Sequence, residues 1–378
     1  MPSLKNCRNI ADLRLRAKSK LPSPMFHYLD GGAEDEWTQR RNTEAFDDYT
    51  LMPSQLRDVS QIDLKTNLLG CELQLPFFIA PTGMSRLFHQ DKELAVARAA
   101  HKFGTLYSLS TMASTTLENV SAETPGPKMF QIYIFRDRGL TTEFVQRCKA
   151  AGYQALCLTV DTVVAGNRER DLKYGMTVPP KVNRHNFFSY ATRWTWLYHA
   201  ARQPDFQFAN VMHRVDALAD GAMSLFAYVN QQFDPSITWD DAAWLAEQWD
   251  GPFVIKGLQS AEDAVKAREI GASAIMLSNH GGRQLEGAPA PIDCIPAVRG
   301  GIRRGSHVIK AIALGADACS IGRPYLYGLA AGGQHGVERA IQLLKDEIER
   351  NLTLLGCPSI AELSEKYLLR IPDRSGLP

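Results

Sequence analysis

The amino-acid sequence predicts an α/β fold, a (β/α)8 TIM barrel in which parallel strands alternate with helices. Short apolar runs recur along the chain, and most are followed by a segment of helical periodicity, which is typical of βα units. The runs are apolar on both faces, as buried parallel strands are. The alternative, a doubly wound dinucleotide-binding sheet, requires a GxGxxG motif, and the chain contains none.

The predicted strands and helices follow one another in order. Seven strands are predicted, at Phe77–Pro81, Thr105–Ser110, Met129–Tyr133, Ala155–Asp161, Phe253–Gly257, Ala274–His280 and Ala318–Arg323. An eighth is expected just before Gly300. Helices are predicted at Lys92–Phe103, Gly139–Ala151, Trp239–Trp249, Ala261–Ile270 and Ser306–Leu314. Asp91, Thr238 and Ser260 are the expected caps, and Ser260 with Asp263 resembles a capping box.

Composition limits the class of protein. The 378 residues are 45% hydrophobic and 22% charged, which suits one globular domain over residues 1–378. The formal charge of +1 argues against nucleic-acid binding. Seven scattered cysteines show no metal-ligand spacing, so we expect reduced thiols, no metal site and a cytoplasmic protein. No apolar stretch reaches the length of a membrane span, and the first residues lack the apolar core of a signal peptide.

Charged side chains follow several predicted strands, where a barrel carries its chemistry. Arg168 and Arg283 could clamp the carboxylate of a 2-hydroxy acid, because each guanidinium presents a planar fork of donors. His280 paired with Asp161 is a candidate base, and Lys256 a cation for the negative charge that a flavin gains on reduction. The structural alternatives are solvated arginines, a core histidine and an Asp161–Lys256 ion pair.

The strings around these residues resemble one family. Ser278–Leu285 reads SNHGGRQL, and it is supported by Phe26–Thr38 (FHYLDGGAEDEWT), Ala80–Met84 (APTGM), Phe130–Tyr133 (FQIY), Leu158–Asp161 (LTVD), Ile255–Gly257 (IKG) and Ile321–Pro324 (IGRP). In this order the strings resemble the FMN-dependent 2-hydroxy acid oxidases and dehydrogenases, a family that includes glycolate oxidase, mandelate dehydrogenase and bacterial L-lactate dehydrogenase. Phe233–Gly257 is most similar to the respiratory L-lactate dehydrogenases. Met112 stands where plant glycolate oxidases have tryptophan.

The resemblance implies roles for individual residues. His280 would be the base held by Asp161, Arg168 and Arg283 would bind the carboxylate, and the remaining substrate contacts would come from Tyr28 and the catalytic Tyr133. The cofactor would be FMN, contacted by Pro81, Thr82, Gly83, Ser110, Gln131, Thr159, Lys256 and Ser278. Its phosphate would lie near Gly301, Arg303, Gly322 and Arg323. A homotetramer and oxidation of L-lactate or a close relative are also implied.

One segment departs from the family pattern. The segment Glu286–Gly305, which follows the sixth predicted strand, is about a dozen residues shorter than the corresponding segment of the family. Arg299 stands where the family has an acidic residue. Either Cys294–Val298 forms the seventh barrel strand at the expense of a helix, or that strand is missing. The second case would weaken flavin binding, so an impaired barrel is an alternative function.

The longest interruption, about residues 162–235, lies after the fourth predicted strand. Its central part is rich in aromatic and basic residues: Phe187, Phe188, Tyr190, Trp194, Trp196, Leu197, Tyr198 and Phe206, with Arg184, Arg193, Arg202 and Arg214. This composition favours docking on a membrane surface, with a quinone or other respiratory electron acceptor at the cytoplasmic side of the inner membrane. The alternative is a segment packed on the barrel or a neighbouring subunit, with oxygen as the acceptor.

Overall fold

The strands lie in one large sheet and two small pairs. The computed structural model describes residues 3–203, 206–212, 231–294 and 301–371. The described strands are β1 Tyr49–Leu51, β2 Thr66–Leu68, β3 Cys71–Leu73, β4 Phe77–Ile79, β5 Tyr107–Ser110, β6 Lys128–Ile132, β7 Ala155–Thr159, β8 Phe253–Lys256, β9 Ala274–Met276, β10 Cys319–Ile321 and β11 Leu368–Arg370. Strand β2 pairs with β3 and strand β1 with β11, both antiparallel.

The large sheet is parallel throughout and confirms the α/β barrel. Its order is β10-β4-β5-β6-β7-β8-β9, so strands β4 to β9 are neighbours in chain order and β10 pairs with β4. Among the described strands, β9 and β10 are the two edges. The eighth strand predicted before Gly300 belongs between them in the chain, and residues 295–300 lie outside the described ranges.

The barrel core separates into an inner and an outer layer because successive strand side chains point to opposite faces. Phe78, Met129 and Val254 belong to the smaller cluster inside the sheet. The strand residues that alternate with the inner ones along the chain pack in the larger cluster, against the helices. They include Phe77, Ile79, Phe130, Leu156, Leu158, Phe253 and Ile255. Both clusters are buried, which explains why the strands read as continuous apolar runs.

The helices surround the sheet. Within the described ranges they are α1 Ile10–Lys20, α2 Ser23–Asp30, α3 Trp37–Glu44, α4 Lys92–Lys102, α5 Leu117–Glu123, α6 Arg138–Ala150, α7 Glu169–Lys173, α8 Phe187–Ala191, α9 Trp194–Arg202, α10 Trp239–Trp249, α11 Ala261–Glu269, α12 Gly305–Ala313 and α13 Arg323–Leu355. The cap at Ser260 is confirmed, because its side chain accepts from the Asp263 N–H at 3.1 Å. Asp91 occupies the N-cap position of α4, as predicted, but its side chain makes no capping hydrogen bond.

Several strands end earlier than predicted, and β9 differs most. It ends at Met276, whereas the apolar run predicted a strand to His280. The chain turns away because His280 adopts a left-handed conformation with φ of 56°. Its N–H donates to the Ser278 hydroxyl at 3.0 Å instead of to a neighbouring strand. The residues after β9 therefore turn over the mouth of the barrel.

In its described part, the long interruption contains three short helices, α7 to α9, and the eight aromatic or leucine residues named above in its central part divide into two sets. The buried set consists of Tyr190, Trp196 and Phe206. Trp196 donates from its indole to the Leu87 carbonyl at 2.9 Å, so this set packs on the barrel. The other five side chains are 39% to 77% exposed: Phe187, Phe188, Trp194, Leu197 and Tyr198. Arg214 lies outside the described residues. No helix in the described part of the chain is long and apolar enough to cross a membrane.

Candidate active site

A cavity of about 290 Å³ opens at the carboxyl ends of the barrel strands. It brings together every predicted site residue except Asp161, which lies directly behind His280. The predicted residues that line it are Tyr28, Pro81, Thr82, Gly83, Ser110, Gln131, Tyr133, Thr159, Arg168, Lys256, Ser278, His280, Arg283, Gly301, Arg303, Gly322 and Arg323. These residues come from the ends of the barrel strands, from α2 and from the loop before α7.

A buried charge cluster lies at the ends of β7, β8 and β9. Oδ1 of Asp161 is 2.7 Å from Nδ1 of His280, and Oδ2 is 3.4 Å from Nζ of Lys256. Burial alone would raise the pKa of Asp161, but the charge of Lys256 and the hydrogen bond from His280 hold it well below its usual range. Asp161 is therefore an anion at neutral pH. It combines the histidine pairing and the lysine ion pair that the sequence offered as alternatives.

The His280 imidazole is set up to be neutral. Burial lowers its pKa below the ordinary 6.5, and the nearby Lys256 adds to this, while Asp161 acts in the opposite direction. The contact to Asp161 directs a proton to Nδ1, which leaves Nε2 as the nitrogen that can accept one. The following turn is tightly packed, since a Cβ on Gly282 would lie 2.6 Å from the Gln39 backbone. The imidazole position is thus fixed from both sides.

Two guanidinium groups share one aromatic ring. Arg168 lies 5.3 Å and Arg283 4.8 Å from the centre of the Tyr28 ring. Arg283 also donates to the carbonyls of Tyr28, at 2.5 Å, and Gly31, at 3.1 Å. Burial and the charge of Arg168 lower the pKa of Arg283 to about 10, so it stays protonated at neutral pH. Arg283 has no ion pair with a described carboxylate, whereas Arg168 has Asp171 at 3.4 Å. This pair of cations can bind a carboxylate.

A second pair of cations, Arg303 and Arg323, lies next to the first, because Arg283 and Arg323 both donate to the Gly31 carbonyl. Arg323 begins α13, and burial together with Arg303 lowers its pKa to about 10. It donates to backbone carbonyls, among them that of Gly31 at 2.7 Å. Neither Arg303 nor Arg323 pairs with a carboxylate in the described ranges. A helix N-terminus beside two such arginines is suited to a phosphate.

Tyr133 stays a neutral phenol. Burial raises its pKa, and the negative charge of Asp161 raises it further. Its ring makes an edge-to-face contact with Phe233, with ring centres 5.1 Å apart. Its hydroxyl can therefore donate a hydrogen bond inside the cavity at any pH near neutrality.

Several lining residues were not predicted from the sequence. Thr162 directly follows Asp161, and its hydroxyl is 3.2 Å from Nδ1 of His280, so its place at a strand end was the missed signal. Asn42 exchanges side-chain hydrogen bonds with Asn279 at 2.8 and 2.7 Å, and no motif marks it. The apolar lining that sequence reasoning missed comprises Phe88, Ala165, Phe208, Phe233 and Leu326.

Comparison with known proteins assigns the family. The family model described as FMN-dependent dehydrogenase matches residues 17–370. The chain belongs to the FMN-dependent dehydrogenase family. Among its relatives in this family, L-lactate oxidase of Nostoc sp. is 41% identical over 97% of this chain and 100% of that protein. Glycolate oxidase 3 of Oryza sativa subsp. indica is 38% identical over 97% of both.

Solved structures of this family confirm the barrel. The monotopic membrane protein (S)-mandelate dehydrogenase superposes with a TM-score of 0.91 at 35% identity, over 97% of this chain and 100% of that chain. The flavin-binding domain of flavocytochrome b2 from baker's yeast gives a TM-score of 0.81 at 33% identity, over 100% and 91%. The chain is therefore an FMN-dependent oxidoreductase that acts on 2-hydroxy acids.

The described residues of the cavity fit FMN. The buried Thr159 hydroxyl has no hydrogen-bond partner among the described residues and can serve a polar edge of the ring system. Arg303 and Arg323 supply positive charge for the phosphate. A Cβ on Gly301 would lie 2.1 Å from the Asn42 carbonyl, so a side chain there would displace the cavity wall. Lys256 lines the same cavity and is a cation that can lie beside the ring system.

Proposed function

We propose that this protein oxidises an (S)-2-hydroxy acid, L-lactate or a close relative, to the 2-keto acid. The observation that carries the proposal is the position of His280, which Asp161 contacts at 2.7 Å and which lines the cavity that the Tyr28 ring and two guanidinium groups share. A base and a carboxylate site in one cavity suit oxidation of the carbon between a carboxylate and a hydroxyl.

Each of the described site residues has a separate role in the proposed reaction. Arg168 and Arg283 bind the substrate carboxylate and orient the molecule, and the Tyr133 phenol donates to a substrate oxygen. Nε2 of His280 accepts a proton from the substrate, and Asp161 stabilises the imidazolium that results. When bound, FMN would take up the two electrons and the second hydrogen, with Lys256 as the cation that compensates the negative charge.

The electron acceptor is proposed to be a quinone or another respiratory carrier at a membrane. The exposed set of apolar residues on α8 and α9 supports this, because Trp194, Leu197 and Tyr198 share one face of α9 and Arg202 lies close by. The mandelate dehydrogenase that resembles this chain is a monotopic membrane protein. We therefore propose a peripheral protein on the cytoplasmic side of the inner membrane, assembled as a homotetramer.

L-lactate is proposed as the substrate because Phe233–Gly257 is similar to the respiratory L-lactate dehydrogenases, and because Met112 lines the cavity where plant glycolate oxidases have tryptophan. The test is an anaerobic titration of the purified holoenzyme with L-lactate, glycolate and (S)-mandelate. L-lactate should bleach the visible flavin band fastest. An unchanged spectrum with all three acids in a flavin-loaded sample would contradict the proposed substrate class.

The same titration separates the electron acceptors. After reduction with L-lactate, a soluble quinone analogue should restore the flavin band faster than air does. Faster recovery in air would make the protein an oxidase. A purified protein that holds no flavin, even after incubation with FMN, would support the impaired barrel.

A further inference from the structure

Residues 165–175, which comprise Arg168 and the short helix α7 and are called the Arg168 loop below, are attached to α2 and the turn after it by an arginine outside the cavity. Nη1 of Arg170 is 3.0 Å from Oδ2 of Asp30, and Nη2 is 2.8 Å from Oε2 of Glu36. The Asp30 side chain is only 3% exposed, so this pairing is shielded from solvent. Arg170 does not line the cavity that the described residues form.

Asp30 is a rigid anchor for this arginine. It accepts two hydrogen bonds from Arg14 of α1, at 2.5 and 2.7 Å, and one from the hydroxyl of Tyr327 of α13, at 2.8 Å. Burial alone would raise the pKa of Asp30, but the hydrogen bonds from Arg14 bring it below the usual range. The carboxylate is thus ionised and held from three separate elements, which leaves it little freedom to move.

Two further contacts fix the same loop on either side of Arg170. The Glu34 N–H donates to the Asn167 carbonyl at 2.9 Å. The rings of His27 and Tyr174 stack with their centres 3.5 Å apart. The loop is therefore attached to α2 and its following turn at three successive points.

The position of the Arg168 side chain depends on this attachment. Its one ion pair within the described ranges, with Asp171 at 3.4 Å, joins it to its own loop, so that pair moves with the loop. Its other contact is the Tyr28 ring, which belongs to α2. The distance between Arg168 and that ring is therefore set by how the loop sits on α2.

We propose that Arg170 is a positioning residue that places Arg168 over Tyr28, and so sets the affinity for the substrate carboxylate without touching the substrate. The inference rests on the proposed function, because it assumes that Arg168 binds this carboxylate. Arg170 makes two ion pairs, one to α2 and one to the turn after it, and both lie between the outer contacts at Asn167 and Tyr174, next to Arg168.

The test compares Arg170→Met, Arg170→Lys and Arg168→Met in the holoenzyme. Arg170→Met removes both ion pairs but keeps most of the aliphatic stem. It should raise KM for L-lactate about tenfold, change kcat less than threefold and leave flavin content unchanged. Arg170→Lys can keep one ion pair and should recover part of the affinity. Hydrogen exchange of residues 165–175 should become faster in Arg170→Met.

The matched control is Arg147→Met, because Arg147 also pairs with two carboxylates, Glu118 and Glu143, but lies on the outer helix α6. It should leave KM and exchange in the loop unchanged. Parent-like KM in Arg170→Met beside a large effect of Arg168→Met would overturn the positioning role and leave the proposed function intact. A parent-like Arg168→Met would instead remove the carboxylate site itself, and the inference with it. Equal losses in kcat, flavin content and Tm would show a purely structural role.

Discussion

Replacing Asp161 with asparagine tests whether His280 is the base. The substitution keeps the shape of the side chain but removes the charge that lies 2.7 Å from Nδ1 of His280. In the parent protein this charge stabilises the imidazolium that forms when the substrate loses its proton. With charge centres about 4 Å apart and an effective dielectric constant of about 20, the attraction is about 4 kcal/mol. Since about 1.4 kcal/mol corresponds to a tenfold rate change, kcat/KM should fall about 10³-fold.

The pH profile gives a second result whose direction is fixed by the structure. His280 must be neutral to accept a proton, so activity falls as the pH drops through its pKa, which lies below 6.5. Asp161 raises that pKa, and its removal must lower it. The acid limb of kcat/KM should therefore move to lower pH in Asp161→Asn, although the rate itself is much smaller.

The assay is the rate of anaerobic flavin bleaching by L-lactate over a pH series, with flavin content measured on each sample. Glu118→Gln is the control, because Glu118 is ion-paired with Arg147 at 2.7 Å on the outer layer of helices. It should leave the rate unchanged. A loss smaller than tenfold in Asp161→Asn, or an acid limb that moves to higher pH, would refute the role of this pair.

Three further predictions concern other parts of the molecule. Arg283→Lys should lower kcat/KM about 10- to 100-fold, through both KM and kcat, because lysine has no planar fork for the carboxylate; kinetics equal to the parent would place Arg283 outside the pocket. His307 stacks on Phe46 at 4.2 Å, and burial lowers its pKa to about 3. Between pH 6.5 and 3 the unfolded state binds the extra proton, so the parent should lose about 1.4 kcal/mol of unfolding free energy per pH unit. Chemical denaturation should show a shallower loss for His307→Gln, and equal slopes would contradict this. Cosedimentation with anionic vesicles should weaken as salt rises, and the protein should be released by serine substitutions at the exposed set, Phe187, Phe188, Trp194, Leu197 and Tyr198. Trp196, which is buried, stays unchanged in that variant, and a parent that never pellets at low salt would favour subunit contact and oxygen.

The strand ends were predictable, because each apolar run is followed by a polar side chain with evident chemistry. Asp161, Lys256 and His280 were found this way, and the sheet places them at neighbouring strand ends. The registers explain why, since Thr159 at the end of β7 pairs with Lys256 at the end of β8. Parallel strands in sequence order bring consecutive ends together, so order along the chain was sufficient information.

The attachment of the Arg168 loop could not be predicted in the same way. Arg170 and Asp30 are 140 residues apart, and neither lies in a periodic pattern that would signal a partner. From the sequence alone, the charged residues next to Arg168 are interpreted as solvated surface residues, because only the folded chain brings α2 beside them. Tyr28 entered the prediction through family resemblance, because an aromatic residue before two glycines has many ordinary explanations.

In the aromatic segment that contains α8 and α9, the spacing of the residues predicts which side chains are exposed, whereas their composition does not. Aromatic and basic content favoured membrane docking over packing on the barrel for the whole segment, yet Trp196 is buried and Trp194 is 72% exposed. In helix α9, residues 194, 197 and 198 follow the i, i+3, i+4 spacing of one face, and 196 lies on the other. The helical spacing therefore predicts which residues of α9 belong to the exposed set and which to the buried set.

The pairing of Arg283 with the Tyr28 carbonyl has a consequence for the order of events during synthesis. These residues are 255 positions apart, and the contact from Arg323 of the phosphate site to the Leu29 carbonyl spans 294. A ribosome must have released nearly the whole polypeptide before the first helices can dock on the last one. The nascent chain is consequently unable to capture either the hydroxy acid or the cofactor phosphate through these groups. Oxidative turnover begins only in finished molecules.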